Sequence, residues 1–252
     1  MTWFFDTHIH LSDPLYTPYI KSILSSMTRL HIKACCVSTD LTTSEATVRL
    51  AEKNNNIISF VGIHPEFTNV ELEDIKEFVL NHIKEIHGIG EIGLDGTFKG
   101  GVTKEQKNLF TKQLEMAEKS NLPVSIHSRK ALDEVVDILK SYNTRKTLIH
   151  WFDGNSKQLR VIMDMGCFVS FGPVMIYAND KQTLLAKSNE EQVLVETDGP
   201  VRFSRCFEGK VADITFIPSV IHCASKILKK NFEDMTLLLE KNSKTYLDIN
   251  NI

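Results

Sequence analysis

A short apolar run followed by a longer stretch with helical spacing recurs eight times along this chain, and that alternation constrains its fold more than anything else. The runs are Trp3–Thr7, Ile32–Ser38, Ile57–Ile63, Gly88–Ile92, Pro123–Ile126, Lys146–Ile149, Cys167–Phe171 and Gln192–Glu196. Each is bounded and rich in residues that suit a buried strand. Between them, apolar residues return every three or four positions: Ile75, Val79, Ile83 and Ile86, then Phe110, Leu114 and Ala117, then Val135, Val136 and Leu139, then Leu159, Ile162 and Met163. That is the spacing of a helix with one buried stripe. Eight strand–helix units in 252 residues match the size of a closed (β/α)8 barrel, an α/β fold of the TIM type. A doubly wound open sheet is the rival, because periodicity alone does not separate the two. The first turn carries His8 and His10 instead of a Gly-rich phosphate loop, which speaks against dinucleotide binding. The stretches Phe216 to Leu228 and Phe232 to Leu247 read as two closing helices. No low-complexity segment, Pro/Gly-rich linker or charge block interrupts residues 1–252, so one domain is expected.

Hydrophobic residues make up 42% and charged residues 24%, which excludes a disordered chain. The net charge of −3 argues against a protein that coats duplex DNA, since that needs a broad basic face to release counterions. An enzyme gripping one strand end through a few residues stays compatible with it. The five cysteines include no CxxC pair, and Cys35–Cys36 falls inside an apolar run, so reduced thiols in a cytoplasmic protein are expected. The N-terminus lacks a signal-peptide pattern, and no run of about 18 apolar residues exists to span a membrane. A monomer is the expected state.

The residues with ligand chemistry gather at the ends of the expected strands. Strand one ends in Asp6-Thr7-His8-Ile9-His10, where alternation points His8 and His10 to the same side. Strand three ends at Gly62-Ile63-His64-Pro65, strand four in Glu91-Ile92-Gly93-Leu94-Asp95, and strand five in His127-Ser128-Arg129. Strand six ends in His150-Trp151-Phe152, and strand eight in Glu196-Thr197-Asp198-Gly199-Pro200. In a parallel barrel all of these open on one face, which holds the active site. A lone histidine at a strand end is more often a hydrogen-bonded structural residue than a ligand. Six metal-capable residues converging from five strands are hard to attribute to packing, because unpaired buried carboxylates are costly. Six exceed one open zinc site, which takes about three protein ligands, but suit two ions sharing a carboxylate. Glu91, on the middle strand, is the natural bridge, and two such ions about 3.5–4 Å apart support hydrolysis.

These motifs together resemble the TatD-type deoxyribonucleases of the metal-dependent amidohydrolase superfamily, whose members are (β/α)8 barrels. The resemblance covers essentially the whole chain, with six motifs in order. It implies that His8, His10 and Asp198 bind one metal, that His127 and His150 bind the other, and that Glu91 bridges. It further implies that Asp198 orients or deprotonates the attacking water, that His64 faces the substrate phosphate and that Arg129 contacts it. The implied activity is hydrolysis of DNA phosphodiesters with two divalent ions (Mg, Mn or Zn), trimming single strands or DNA ends from the 3′ side. Four imidazoles favour a transition metal over magnesium in the isolated protein.

Three places depart from the family pattern. His150-Trp151-Phe152-Asp153-Gly154 stands where His-Cys-Phe-Ser-Gly is usual, and Gly96 replaces a tyrosine after Gly-Leu-Asp. Asp198-Gly199-Pro200-Val201-Arg202 and then Gly209-Lys210-Val211-Ala212-Asp213 stand where Asp-Ser-Pro-Tyr followed by a Lys-Arg-Asn-x-Pro segment is usual. None removes an expected ligand. Arg202, Arg205 and Lys210 are either substitute phosphate contacts or a basic surface loop. Trp151 either stacks on a base or packs. Asp6 could orient a ligand imidazole, and Asp95 either partners a ligand or forms a turn. His31, His82, His87 and His222 read as structural or exposed, and the Glu71–Lys84 charges as the wet face of a helix. Two further functions compete with the nuclease. One is an amidohydrolase or esterase on a smaller substrate, such as an aminoacyl-ester deacylase. The other is a metal-binding scaffold without turnover, which the complete ligand set disfavours.

Overall fold

In the computed structural model, which describes residues 2–70, 72–98, 100–144 and 146–249, eight strands form one parallel sheet. They are β1 (Phe4–Ile9), β2 (Ile32–Val37), β3 (Ile57–Val61), β4 (Gly88–Gly93), β5 (Val124–His127), β6 (Thr147–Ile149), β7 (Phe168–Phe171) and β8 (Val193–Val195). Each lies within a residue or two of its expected run. Seven helices alternate with them: α1 (Ile20–Leu30), α2 (Leu41–Lys53), α3 (Leu72–Asn81), α4 (Lys104–Ser120), α5 (Leu132–Leu139), α6 (Ser156–Asp164) and α7 (Asn179–Lys187). Then α8 (Ile217–Ile227) and α9 (Phe232–Leu247) close the chain, as the two apolar stretches predict.

The strand order runs β1 to β8 without a switch point, which rules out the doubly wound rival. Every neighbour is parallel and each crossover carries its helix outside. Helix starts are set locally. Asp40 and Asn155 form capping boxes with Thr43 and Gln158, and Thr103 caps α4.

The seam where β8 meets β1 differs from the other seven. It is held largely by side chains: Thr7 Oγ1 donates to the Val195 carbonyl at 2.9 Å, and the Asp6 carboxylate accepts from Thr197 N at 3.0 Å and Thr197 Oγ1 at 2.6 Å. Two backbone bonds complete it, Asp198 N to the His8 carbonyl at 2.9 Å and His10 N to the Gly199 carbonyl at 2.8 Å.

Strand alternation sends one set of residues outward against the helices and another into the barrel. Ile89, Val124, Ile126, Ile149, Val169 and Val193 pack outward with α-helical residues such as Phe110, Val135 and Ile221. Phe5, Cys35, Ile58, Phe60, Leu148, Phe168 and Leu194 fill the lower interior. Tyr246, at the end of α9, plugs that floor. Its ring lies 6.0 Å from Phe60 and 5.7 Å from Phe168, and its hydroxyl donates to the Val124 carbonyl at 3.0 Å. Gly88 leaves room for this layer, since a Cβ there would meet the Phe60 ring at 2.1 Å. A packed floor makes the upper end the open one.

All five cysteines are free, with Cys35, Cys36 and Cys167 buried. No helix among the described residues is long and apolar enough to cross a membrane. Of the charges assigned to the wet face near α3, Glu71 lies outside the described residues; Glu73 and Lys76 pair at 2.8 Å on that face.

Candidate metal centre

The upper end of the barrel opens into a cavity of about 830 Å³. His10, His64, Glu91, His127, His150, Asp198 and Arg129 all line it, and His8 lies buried directly behind His10. These residues are therefore brought to one place, from β1, β4 and β5 and from the residues just beyond β1, β3, β5, β6 and β8.

Glu91 is the hub, and its two oxygens face different neighbours. Oε2 lies 3.5 Å from His8 Nε2 and 3.3 Å from His10 Nε2. The two imidazole nitrogens are 3.3 Å apart, and Asp198 Oδ1 is 3.7 Å from His8 and 3.4 Å from His10. Donors spaced like this are what ligands at about 2.1 Å from a tetrahedral ion leave between them. The remaining nitrogens of both rings are already used: His8 Nδ1 meets Ser125 Oγ at 2.9 Å and His10 Nδ1 the Val37 carbonyl at 2.9 Å. Such contacts fix tautomer and ring orientation in the way metal-ligating histidines require. The donor set fits a divalent ion.

Oε1 faces a second group, with His127 Nδ1 at 2.7 Å, His150 Nε2 at 2.8 Å and His64 Nε2 at 3.6 Å. The contacts of His127 and His150 are direct hydrogen bonds, and His64 stands just beyond that distance. Two further sets could hold an ion, His8–Glu91–His150 and His64–Glu91–His127. The ring of His150 stacks on His8 with centroids 3.8 Å apart, and its buried Nδ1 has no hydrogen-bond partner.

Burial alone would raise the Glu91 carboxyl, but the charge of His150 and hydrogen bonds from His127 and His150 hold it well below the usual range. Burial also works against Asp198, yet the hydrogen bond from His10 and the charges of His150 and His10 keep it lowered. Desolvation drops His8 and His64 to about 4, leaving them neutral at pH 7. His10 and His127 rise to about 9 despite burial, His10 through Asp198 and Glu91, His127 through Asp95 and Glu91. Those extra protons are the ones a divalent ion displaces.

The open alternatives resolve as follows. Asp95 does both things at once: Oδ2 meets His127 Nε2 at 2.9 Å, and Oδ1 accepts from Thr97 N at 2.7 Å, forming a turn. Asp6 touches no imidazole; its Oδ1 accepts from the His8 backbone N at 3.3 Å and its carboxylate otherwise binds Thr197, while burial lifts it to about 7. Arg202 donates to the Gly209 carbonyl at 3.0 Å, and Arg202, Arg205 and Lys210 are exposed and absent from the cavity wall. The basic-loop reading holds for them. His31 ends α1 in a left-handed conformation, and His82, just past α3, bonds the Phe78 carbonyl. His87 meets Ser59 Oγ at 3.0 Å and His222 is exposed on α8, so all four are structural or exposed as expected.

Glu196 was not singled out. It is fully buried, accepts from Ser170 Oγ at 2.5 Å and Trp151 N at 2.8 Å, and lies 3.9 Å from His150 Nδ1; burial raises it to about 8. The signal was available, since Glu196 stands two residues before Asp198 and alternation turns both toward the barrel interior.

The profile of the family described as TatD related DNase matches residues 5–248. The chain belongs to that family. Among curated relatives of the TatD family member, the metal-dependent hydrolase YabD of Bacillus subtilis is 28% identical over 255 residues, covering 98% of this chain and 99% of YabD. The human deoxyribonuclease TATDN3 is 28% identical over 213 residues, covering 77% of each. The crystal structure of YjjV, a TatD homologue of Escherichia coli K12, superposes with a TM-score of 0.89 at 23% identity, covering 98% of both chains, and so shares the fold. As a TatD family member the protein is a hydrolase acting on ester bonds.

Proposed function

We propose that the protein is a metal-dependent phosphodiesterase acting on DNA, a 3′–5′ exonuclease preferring single strands or DNA ends. The observation that carries this reading is the divided role of Glu91, with Oε2 facing His8 and His10 and Oε1 facing His127 and His150. One carboxylate between two donor groups is the arrangement for a pair of divalent ions. His8, His10 and Asp198 would hold the first and His127 and His150 the second, with Glu91 available to both. Bound there, the ions supply Lewis acidity toward a phosphoryl oxygen and lower the pKa of water. The chain's own residues do the rest. Asp198, kept ionised, orients the attacking water and accepts its proton. His64 is neutral, and its Nδ1 accepts from Glu66 N at 3.2 Å, so Nε2 carries the proton and can donate to a substrate oxygen. Arg129 supplies the cavity wall's cation for the adjacent phosphate. The human relative named a deoxyribonuclease supports DNA as the substrate. We take residues 1–252 as one domain, monomeric and cytoplasmic, consistent with five free thiols.

One observation favours a second reading, hydrolysis of an ester or amide in a smaller substrate. The outer cavity wall carries Asp13, Glu66 and Asp153 against the single cation Arg129 among the described residues, which suits a less charged ligand. Cleavage of 3′- and 5′-labelled single-stranded DNA, compared between wild type and Asp198→Asn, separates the two. Stepwise shortening from the 3′ end that the variant lacks is expected. Intact DNA with a fully metal-loaded wild type would sink the phosphodiesterase reading and leave the ester one.

A further inference from the structure

We infer that Trp151 is a stacking platform for the nucleobase beside the scissile phosphate, a subsite that rests on the phosphodiesterase reading. Trp151 follows His150 directly and lines the same cavity as His150 and Asp198. Its backbone is pinned from three sides. The amide donates to Glu196 Oε1 at 2.8 Å and Ser170 Oγ at 3.2 Å, and the next amide, Phe152 N, donates to the Ser170 carbonyl at 3.1 Å. Lys181, buried in α7, reaches the Phe152 carbonyl at 3.1 Å and pairs with the Asp153 carboxylate. The result is φ of 40° at Trp151, in the left-handed region that a bulky side chain avoids. Strain of this kind persists only where surrounding contacts over-determine it, and it clusters at sites that use the residue.

None of those contacts needs an indole, since all run through main-chain atoms or neighbouring side chains. The indole itself is half-buried. It stacks on Phe203 with centroids 5.5 Å apart and planes 26° from parallel, and Phe203 is only 2% exposed. A ring backed by a rigid aromatic and exposed to a polar cavity presents a π surface at little further entropic cost. Phe98 and Phe67 line other parts of the wall, and a volume of about 830 Å³ admits a nucleotide. The ligand chemistry that matches is a planar heterocycle joined to a phosphodiester. Stacking tolerates any base, as an end-trimming enzyme requires.

The chain's two tryptophans make the test direct. Trp3 stands at the barrel floor with Lys33 Nζ over its ring, so Trp3→Phe leaves Trp151 as the reporter. The magnesium-loaded holoenzyme is titrated with thymidine 5′-monophosphate and with 2-deoxyribose 5-phosphate. Thymidine monophosphate should quench the emission and the abasic sugar phosphate should not. Trp151→Ala should weaken thymidine monophosphate by about 5- to 150-fold and leave the sugar phosphate unchanged, while Trp151→Phe keeps most of the affinity. Calorimetric titration of the unsubstituted protein reads the same two affinities if Trp3→Phe does not fold. Equal affinity of wild type for the two probes, or equal weakening of both by Trp151→Ala, would overturn the inference. If DNA is still cleaved in that case, only the stacking subsite falls. Quenching by the nucleotide in a protein that cleaves no DNA removes the phosphodiesterase reading and keeps the ring subsite.

Discussion

The two donor groups around Glu91 share a carboxylate but are built differently. On the seam side, His8 and His10 stand 3.3–3.7 Å from each other, from Asp198 and from Glu91 Oε2, longer than the hydrogen bonds of the second group and close to the spacing of ligands around an ion. On the other side, His127 and His150 are hydrogen-bonded to Glu91 Oε1 at 2.7 and 2.8 Å, and Asp95 holds the far nitrogen of His127. One group is held open by Ser125 and the Val37 carbonyl. In the other, the nitrogens that face Glu91 are already hydrogen-bonded. An ion entering the first displaces little, whereas one entering the second must part existing hydrogen bonds. The seam position should therefore fill first and hold its ion more tightly.

The largest effect belongs to the residue the two groups share. Glu91→Gln removes the charge that faces both, so turnover should fall by about 10³-fold or more and bound metal from two ions per chain to less than one. Elemental analysis alongside turnover checks this, and retention of both ions would end the bridging account. Single-side substitutions then separate the groups. His127→Ala should keep one tightly held ion, while His10→Ala should lose the seam ion, with activity reduced about 10²-fold or more in each. The reverse pattern of occupancy would invert the proposed order of filling. A smaller change tests what holds the second group. Asp95→Asn leaves the Thr97 turn its acceptor but takes the charge from His127 Nε2, so affinity at the second position should weaken about 10- to 100-fold. Competition with a chelating dye reads both affinities, and equal weakening of the two positions would show that they are not independent.

Much of this was legible before any coordinates. The eight strands follow from buried runs separated by helical periodicity, and the gathering of the candidate site follows from finding His, Glu and Asp at strand ends, because a parallel barrel puts all such ends on one face. What stayed hidden depends on partners far away in sequence. The Asp6–Thr197 clasp joins residues 191 apart, and nothing local to Asp6 distinguishes it from a residue that orients an imidazole. Tyr246 lies on α9 with ordinary helical spacing, and only the closed barrel shows that its ring fills the floor rather than the layer outside the strands. Trp151 was ambiguous for a related reason. Stacking and packing differ in what lies behind the ring, and Phe203 arrives from a loop far later in the chain.

The seam gives the comparison a consequence for dynamics. His8 and His10 hang on β1 and Asp198 just past β8, so the first ion would be gripped from both sides of the one junction held mainly by side chains. The second group spans β4, β5 and the end of β6, where backbone ladders join the strands whether or not metal is bound. Stripping the protein with a chelator should therefore loosen the seam selectively. The amides to watch are His10 N and Asp198 N, which cross it, against Leu94 N, which donates to the His127 carbonyl at 3.1 Å between β4 and β5. A ligand at 100 times its Kd stabilises whatever it closes by about 2.7 kcal/mol, which caps the faster exchange at about 100-fold. The Asp6 clasp survives chelation and lowers this to about 10-fold at the seam, with little change at Leu94. Exchange that rises equally at all three amides would mean that metal stabilises the barrel as a whole, and the distinction between the two sides would lie in their local spacing alone.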